Sequence, residues 1–207
     1  MHDRLLILLC LILFLGVEFT YAQQFQEVAG QFNLTGSIYS NGHAVADYDR
    51  DGDIDIFIVA RNSFSEADST TWSRLYRNQG DSIFSDVTIA SGFGEQYTNP
   101  GDPGTEGQKM GAAWADYNND GYPDLLLTHY RKIELYRNNG DGTFKDITSE
   151  TGISDCYDCY NSSALWWDLD KDGDLDLYIS DWEGPNRLYQ NNSDGTFSDR
   201  TEYFNLG

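Results

Sequence analysis

Asp47-Tyr48-Asp49-Arg50-Asp51-Gly52-Asp53-Ile54-Asp55 is the stretch that decides how this chain reads, because it returns twice. Residues 116–124 read Asp-Tyr-Asn-Asn-Asp-Gly-Tyr-Pro-Asp, and residues 168–176 read Asp-Leu-Asp-Lys-Asp-Gly-Asp-Leu-Asp. Each copy sets oxygen-bearing side chains at loop positions 1, 3, 5 and 9 and a glycine at position 6. Carboxylates gathered within about 4 Å repel by about 4 kcal/mol per pair at a surface-like effective dielectric, so such a loop needs a counter-ion. A lone Asp-Gly cluster marks no more than a solvated turn, whereas three in register ask for a ligand.

The donor set is all oxygen, which selects a hard cation. Ca²⁺ accepts roughly six to eight oxygens at flexible geometry, while Mg²⁺ demands an octahedron and keeps its waters. The spacing therefore predicts about three calcium sites. Their side-chain ligands are Asp47, Asp49, Asp51 and Asp55; Asp116, Asn118, Asp120 and Asp124; and Asp168, Asp170, Asp172 and Asp176. Position 7 (Asp53, Tyr122, Asp174) varies in side chain, as a backbone carbonyl ligand would allow. Gly52, Gly121 and Gly173 permit the sharp turn that lets alternate side chains converge. Asn118 replaces an acid, so the second loop is expected to bind most weakly.

The same opening occurs in EF-hands, which need a bidentate acid at position 12 and flanking helices. Here position 12 is Ile58, Leu127 and Ile179. The residues that follow, such as Ile56-Phe57-Ile58-Val59-Ala60, are short and rich in branched side chains, like strands. Asp55, Asp124 and Asp176 then close each site from the first residue of a strand.

Aligned on the loops, a larger unit repeats, at roughly 41–90, 110–150 and 162–203. First strands are expected at His43–Ala46, Ala112–Ala115 and Ala164–Trp167, and third strands at Arg74–Asn78, Glu134–Asn138 and Arg187–Asn191. A glycine-rich turn such as Asn139-Gly140-Asp141-Gly142 suits a tight hairpin. Fourth strands are expected from Phe84, Phe144 and Phe197 through Thr88, Thr148 and Thr201. Four antiparallel strands in about 50 residues are the size and order of a propeller blade. The second strands are apolar on both faces, which calls for sheets on both sides, where a sandwich would alternate. Trp114, Trp166 and Trp167 read as core filling.

The fold class expected is all-β: a partial, incomplete β-propeller of about three four-stranded blades, with calcium loops between first and second strands. Three blades do not close a propeller. Phe25-Gln26-Glu27-Val28-Ala29 resembles the last strand of a preceding unit, so the chain reads as a fragment of a longer protein or as an open arc whose ends pair with another copy.

Residues 1–22 read as a secretory signal, with Arg4, a 13-residue apolar run from Leu5 to Val17, and Thr20-Tyr21-Ala22 before the cut. No membrane span is expected after cleavage. The net charge of −21 becomes −20 when Asp3, Glu18 and Arg4 leave, and three calcium ions would cancel six of those charges. That acidity argues against nucleic acid and anionic lipid as partners. With 40% hydrophobic and 14% aromatic residues, the chain has enough apolar surface to fold.

Cys156 and Cys159 would suggest redox chemistry or zinc in a cytosolic chain, but behind a signal a local disulfide is favoured. Asn33, Asn161 and Asn191 open glycosylation sequons, which matter only in a eukaryotic host.

The run Gly111-Ala-Ala-Trp-Ala-Asp116, its loop, Leu135-Tyr-Arg-Asn-Asn-Gly-Asp-Gly-Thr-Phe144 and Asp146-Ile-Thr148 resembles FG-GAP/VCBS repeats. Within these it is similar to the ASPIC/UnbV, cartilage-acidic-protein-like group, and more distantly to integrin α-subunit propellers. The resemblance implies a calcium-stabilised, extracellular, non-catalytic propeller, with all fifteen loop residues named above (Asp53, Tyr122 and Asp174 included) as its ligands. The chain is expected to be secreted or at the cell surface (periplasm or outer surface if bacterial). Its expected role is binding an extracellular protein or glycan, with self-association through open blade ends. The alternative is a secreted propeller enzyme acting on glycans. His43 and His129 lack a nucleophile motif beside them, and the carboxylates that would serve as acid and base are claimed by metal.

Overall fold

A computed structural model describes residues 27–34, 40–60, 73–80, 83–93, 109–154 and 159–204. The predicted signal and Cys156 lie outside the described residues, as does most of both long insertions. Among the described residues no helix is long and apolar enough to cross a membrane.

Three four-stranded antiparallel sheets follow one another along the chain, each with its strands in sequence order. The first holds β1 (Ser40–Ala46), β2 (Asp55–Ala60), β3 (Arg74–Asn78) and β4 (Phe84–Asp86). The second holds β5 (Lys109–Ala115), β6 (Asp124–His129), β7 (Ile133–Asn138) and β8 (Phe144–Asp146). The third holds β9 (Asn161–Trp167), β10 (Asp176–Asp181), β11 (Arg187–Asn191) and β12 (Phe197–Asp199). The first strands β1, β5 and β9 neighbour one another, and the array is an open arc of three blades.

Register fixes the loops. Ala46 pairs with Asp55, Ala115 with Asp124 and Trp167 with Asp176, so each acidic loop joins the first strand to the second at the same end of its blade. Two boundaries differ from the sequence expectation. First strands start earlier, at Ser40, Lys109 and Asn161, because an irregularity in register carries the pairing past the small residues. Fourth strands stop at Asp86, Asp146 and Asp199 rather than running on to the threonine. The aspartate Oδ1 accepts the amide of Thr88, Thr148 or Thr201 two residues on, at 3.0, 2.9 and 2.8 Å, and turns the chain out of the ladder.

The core lies between blades. One cluster joins Tyr48, Phe57, Val59 and Leu75 of the first blade and Phe93 after it to Leu125, Leu127, Tyr136 and Phe144 of the second. The next joins Tyr117, Leu126 and Leu135 to Leu177, Ile179, Tyr189 and Phe197 in the same roles. Even ring geometry repeats. Trp114 to Phe144 is 5.8 Å and Trp166 to Phe197 is 6.0 Å between centroids, with Tyr48 and Tyr117 at 5.6 and 5.8 Å from the same phenylalanines. Offset and edge-on contacts at this range add about 0.5–1.5 kcal/mol per pair beyond burial. The second strand shows the consequence: β6, covered on both faces, is buried throughout, whereas Ile56 and Ile58 of β2 are half-buried. Val45, in the place of Trp114 and Trp166, is 56% exposed.

The links between blades carry a second repeat. Phe144 donates its amide to Ser91 O at 3.0 Å, and Phe197 to Thr151 O at 2.7 Å. Gly92 and Gly152 follow at φ +92° and +79°, where a Cβ would fall 3.1 and 2.9 Å from the carbonyl oxygens of Phe144 and Phe197. Before the first blade, Asn33 takes this left-handed place (φ 61°), after a 3₁₀ turn at Ala29–Phe32, and donates its amide to Phe84 O at 3.2 Å. Residues 27–34 thus give the first blade the linker the others receive. Of the strand expected at Phe25–Ala29, Phe25 and Gln26 lie outside the described residues, and Val28 and Ala29 cap and open the 3₁₀ turn instead.

Candidate metal centres

Within each loop the backbone is wound around the side chains at positions 1, 3 and 5. Gly52, Gly121 and Gly173 donate to Oδ2 of Asp47, Asp116 and Asp168 at 3.0, 2.8 and 3.2 Å. Position 5 receives the amide of position 7: Asp53 to Asp51, Tyr122 to Asp120 and Asp174 to Asp172, at 3.0, 2.9 and 3.0 Å. These bonds turn alternate carboxylates toward one point.

Convergence follows in two loops. One oxygen each from Asp47, Asp49 and Asp55 lie within 4.8 Å of one another, and so do oxygens from Asp168, Asp170 and Asp176. Asp51 and Asp172 stand outside these groups of three. In the second loop Asn118 holds position 3 and donates its amide to Asp120 Oδ2 at 2.8 Å, the neutral substitution expected from the sequence. Two of the position 7 side chains turn elsewhere. Arg50 lies 5.4 Å over the Tyr122 ring, while Asp174 accepts Asn119 Nδ2 at 2.6 Å and also the Ser193 hydroxyl.

The residues fit a divalent ion on an observation independent of the motif. Asp47 Oδ1 is buried and has no hydrogen-bond partner, a state that is costly for a carboxylate oxygen unless a cation satisfies it. Burial also pushes Asp124 up to about 7 and Asp55 up to about 6, against the pull of their backbone hydrogen bonds, and raises Asp176 for the same reason. A bound cation would favour the ionised form of all three.

Position 9 does a further job that the sequence reading did not assign. Asp55 Oδ2 accepts the Tyr48 amide at 3.1 Å and Oδ1 the Asn78 amide at 2.8 Å, tying loop, second strand and third strand together. Asp124 does the same with Tyr117 and Asn138, and Asp176 with Leu169 and Asn191. The asparagine then reaches across the blade junction. Asn138 Nδ2 donates to Tyr48 O at 2.8 Å and Pro123 O at 3.0 Å, and Asn191 Nδ2 to Tyr117 O at 2.8 Å and Leu175 O at 3.2 Å. The first and second loops are therefore each coupled to the next blade. The signal was present in the sequence, as an asparagine closing every third strand.

The opposite end of the blades carries a different polar set. Glu134 is 6% exposed, with Oε2 3.1 Å from His129 Nε2 and 3.0 Å from the Tyr136 hydroxyl, and Oε1 2.6 Å from Lys132 Nζ. Burial would raise its pKa, but attraction to His129, Lys109 and Lys132 outweighs burial and holds it well below the usual range. Arg187 is buried at the same end of the third blade, donating to Ser154 O at 2.7 Å and Asn161 Oδ1 at 2.5 Å. Asn161 and Asn191 are thus buried with their amides engaged, which removes two of the three sequons; Asn33 is exposed. Cys159 is buried and disulfide-bonded.

The FG-GAP-like repeat profile matches residues 47–127, 116–179 and 168–207. Cartilage acidic protein 1 of Xenopus tropicalis is 45% identical over 62 residues, 30% of this chain and 9% of that protein. Its Homo sapiens counterpart is 40% identical over 55 residues, 27% of this chain and 8% of that protein. Each match thus spans under a tenth of the relative's length. Among solved structures, an Agrocybe aegerita lectin, studied for recognition of non-reducing terminal N-acetylglucosamine, aligns over 78% of this chain and 38% of its own, at 20% identity and a TM-score of 0.45.

Proposed function

This chain belongs to the FG-GAP-like repeat family, and from that premise we propose that it is a secreted, non-catalytic scaffold braced by calcium, which presents its surface to an extracellular protein or glycan. The observation that carries the reading is the convergence of Asp47, Asp49 and Asp55, and of Asp168, Asp170 and Asp176, each within 4.8 Å. Asp47 Oδ1, buried without a partner, supports it. Calcium would supply charge neutralisation at these points. The chain's own residues do the rest: Asp55, Asp124 and Asp176 hold loop to strand, and Asn138 and Asn191 hold the first and second loops to the following blade.

Extracellular modules bind calcium at dissociation constants of about 0.1–1 mM. At ten times that constant each independent site adds about 1.4 kcal/mol. Chelation is therefore expected to lower the melting temperature. Asp51→Ala or Asp172→Ala should blunt the calcium response more than Asn118→Ala does. Identical melting in calcium and in chelator would overturn the proposal.

A further inference from the structure

We propose that the third-strand residue just after the tyrosine tunes the calcium affinity of the first and third loops, with Arg77 weakening the first site and Gln190 leaving the third the tightest. The inference rests on the calcium reading above and concerns residues outside the ligand set.

Loops 1 and 3 offer the same letters, aspartate at positions 1, 3, 5, 7 and 9, and the same convergence of three carboxylates. They differ in what stands behind position 3. Arg77 Nε lies 2.6 Å from Asp49 Oδ2, and its Nη2 lies 3.1 Å from Asp51 Oδ2. In the third blade the equivalent Gln190 donates Nε2 to Asp170 Oδ2 at 2.5 Å. Gln190 Oε1 in turn accepts from Arg200 Nε at 2.8 Å, so the positive charge sits one side chain further from the loop. The contact to position 3 is kept in both blades, but the charge that makes it changes, and Arg77 also reaches position 5.

That difference has a definite sign. Arginine cannot shed its proton, so Arg77 permanently neutralises part of the field a cation would use. A divalent ion and a guanidinium sharing Asp49 also repel each other. Across about 6 Å in a water-like dielectric the repulsion corresponds to about a tenfold loss of affinity. Loop 2, with Asn118 at position 3, ranks last, giving the order loop 3, loop 1, loop 2.

Calcium titration of the full chain, followed by ¹H–¹⁵N correlation spectra, reads each loop separately, because the amides of Gly52, Gly121 and Gly173 each donate to their own position 1 aspartate. The Gly173 peak is expected to respond at about tenfold lower calcium than Gly52. Arg77→Gln should bring the Gly52 midpoint down to that of Gly173, Gln190→Arg should raise the Gly173 midpoint, and Arg77→Lys should leave Gly52 near wild type. A Gly52 midpoint that stays put or rises in Arg77→Gln overturns the tuning role while leaving the calcium sites standing. Wild-type spectra in which none of the three glycines responds overturn the calcium reading as well.

Discussion

At the loop end of the blades Asp55, Asp124 and Asp176 make the same pair of backbone hydrogen bonds three times over. At the opposite end, the positions that share a register have little else in common: Ala60, His129 and Asp181 at the close of the second strand, and Arg74, Glu134 and Arg187 early in the third. The contrast teaches what constrains each end. A turn that must aim several oxygens at one point tolerates few residue types, so it repeats. A junction that must only exclude water accepts any polar set that satisfies itself. Glu134 among cations is one solution, and Arg187 on Asn161 and Ser154 is another.

The largest expected effect tests the unrepeated end. Glu134→Ala leaves Lys109, His129 and Lys132 without their buried acid and should destabilise the fold by about 3–5 kcal/mol in urea titration. The loss should be equal in calcium and in chelator; a loss confined to one of them would mean the ends are not independent. Its pH signature has a fixed sign. Because the folded pKa of Glu134 lies below the ordinary 4.5, its contribution is complete above that value and is lost as pH falls through the lower folded one. Glu134→Gln should flatten this part of the acid-unfolding slope.

Next in size is the clamp that joins the ends of neighbouring blades. Asn138→Ala strands the carbonyls of Tyr48 and Pro123 and should cost about 2–3 kcal/mol. Asn78→Ala should cost about 1 kcal/mol, because among the described residues Asn78 Nδ2 donates only to Ile54 O, within its own blade, at 3.3 Å. Equal losses would deny that the asparagine works across junctions. The smallest effect sharpens the loop end itself. Asn118→Asp should gain about 1 kcal/mol in saturating calcium, seen as a larger calcium-induced rise in melting temperature, and should lose stability in chelator, where the extra charge faces Asp116 and Asp120.

The loop end was legible in the sequence because its chemistry fixes letters at fixed spacing. The aromatic junctions were legible in kind, since apolar residues on both faces of Leu125–Leu127 demanded cover on both sides. Strand ends were less so: Asp86, Asp146 and Asp199 look like strand continuations until their side chains are seen bonding the threonine amides. Asn161 and Asn191 read as sequons because a three-letter motif carries no information about burial. The Glu134 cluster left no trace at all, because its members come from three strands and a turn and share no period.

Isothermal titration of the full chain with calcium tests the central claim most directly. The account predicts uptake of about three ions with unequal affinities, two of them at the fully acidic loops around Asp49 and Asp170. No binding heat up to several times the roughly millimolar upper limit for extracellular modules would contradict it.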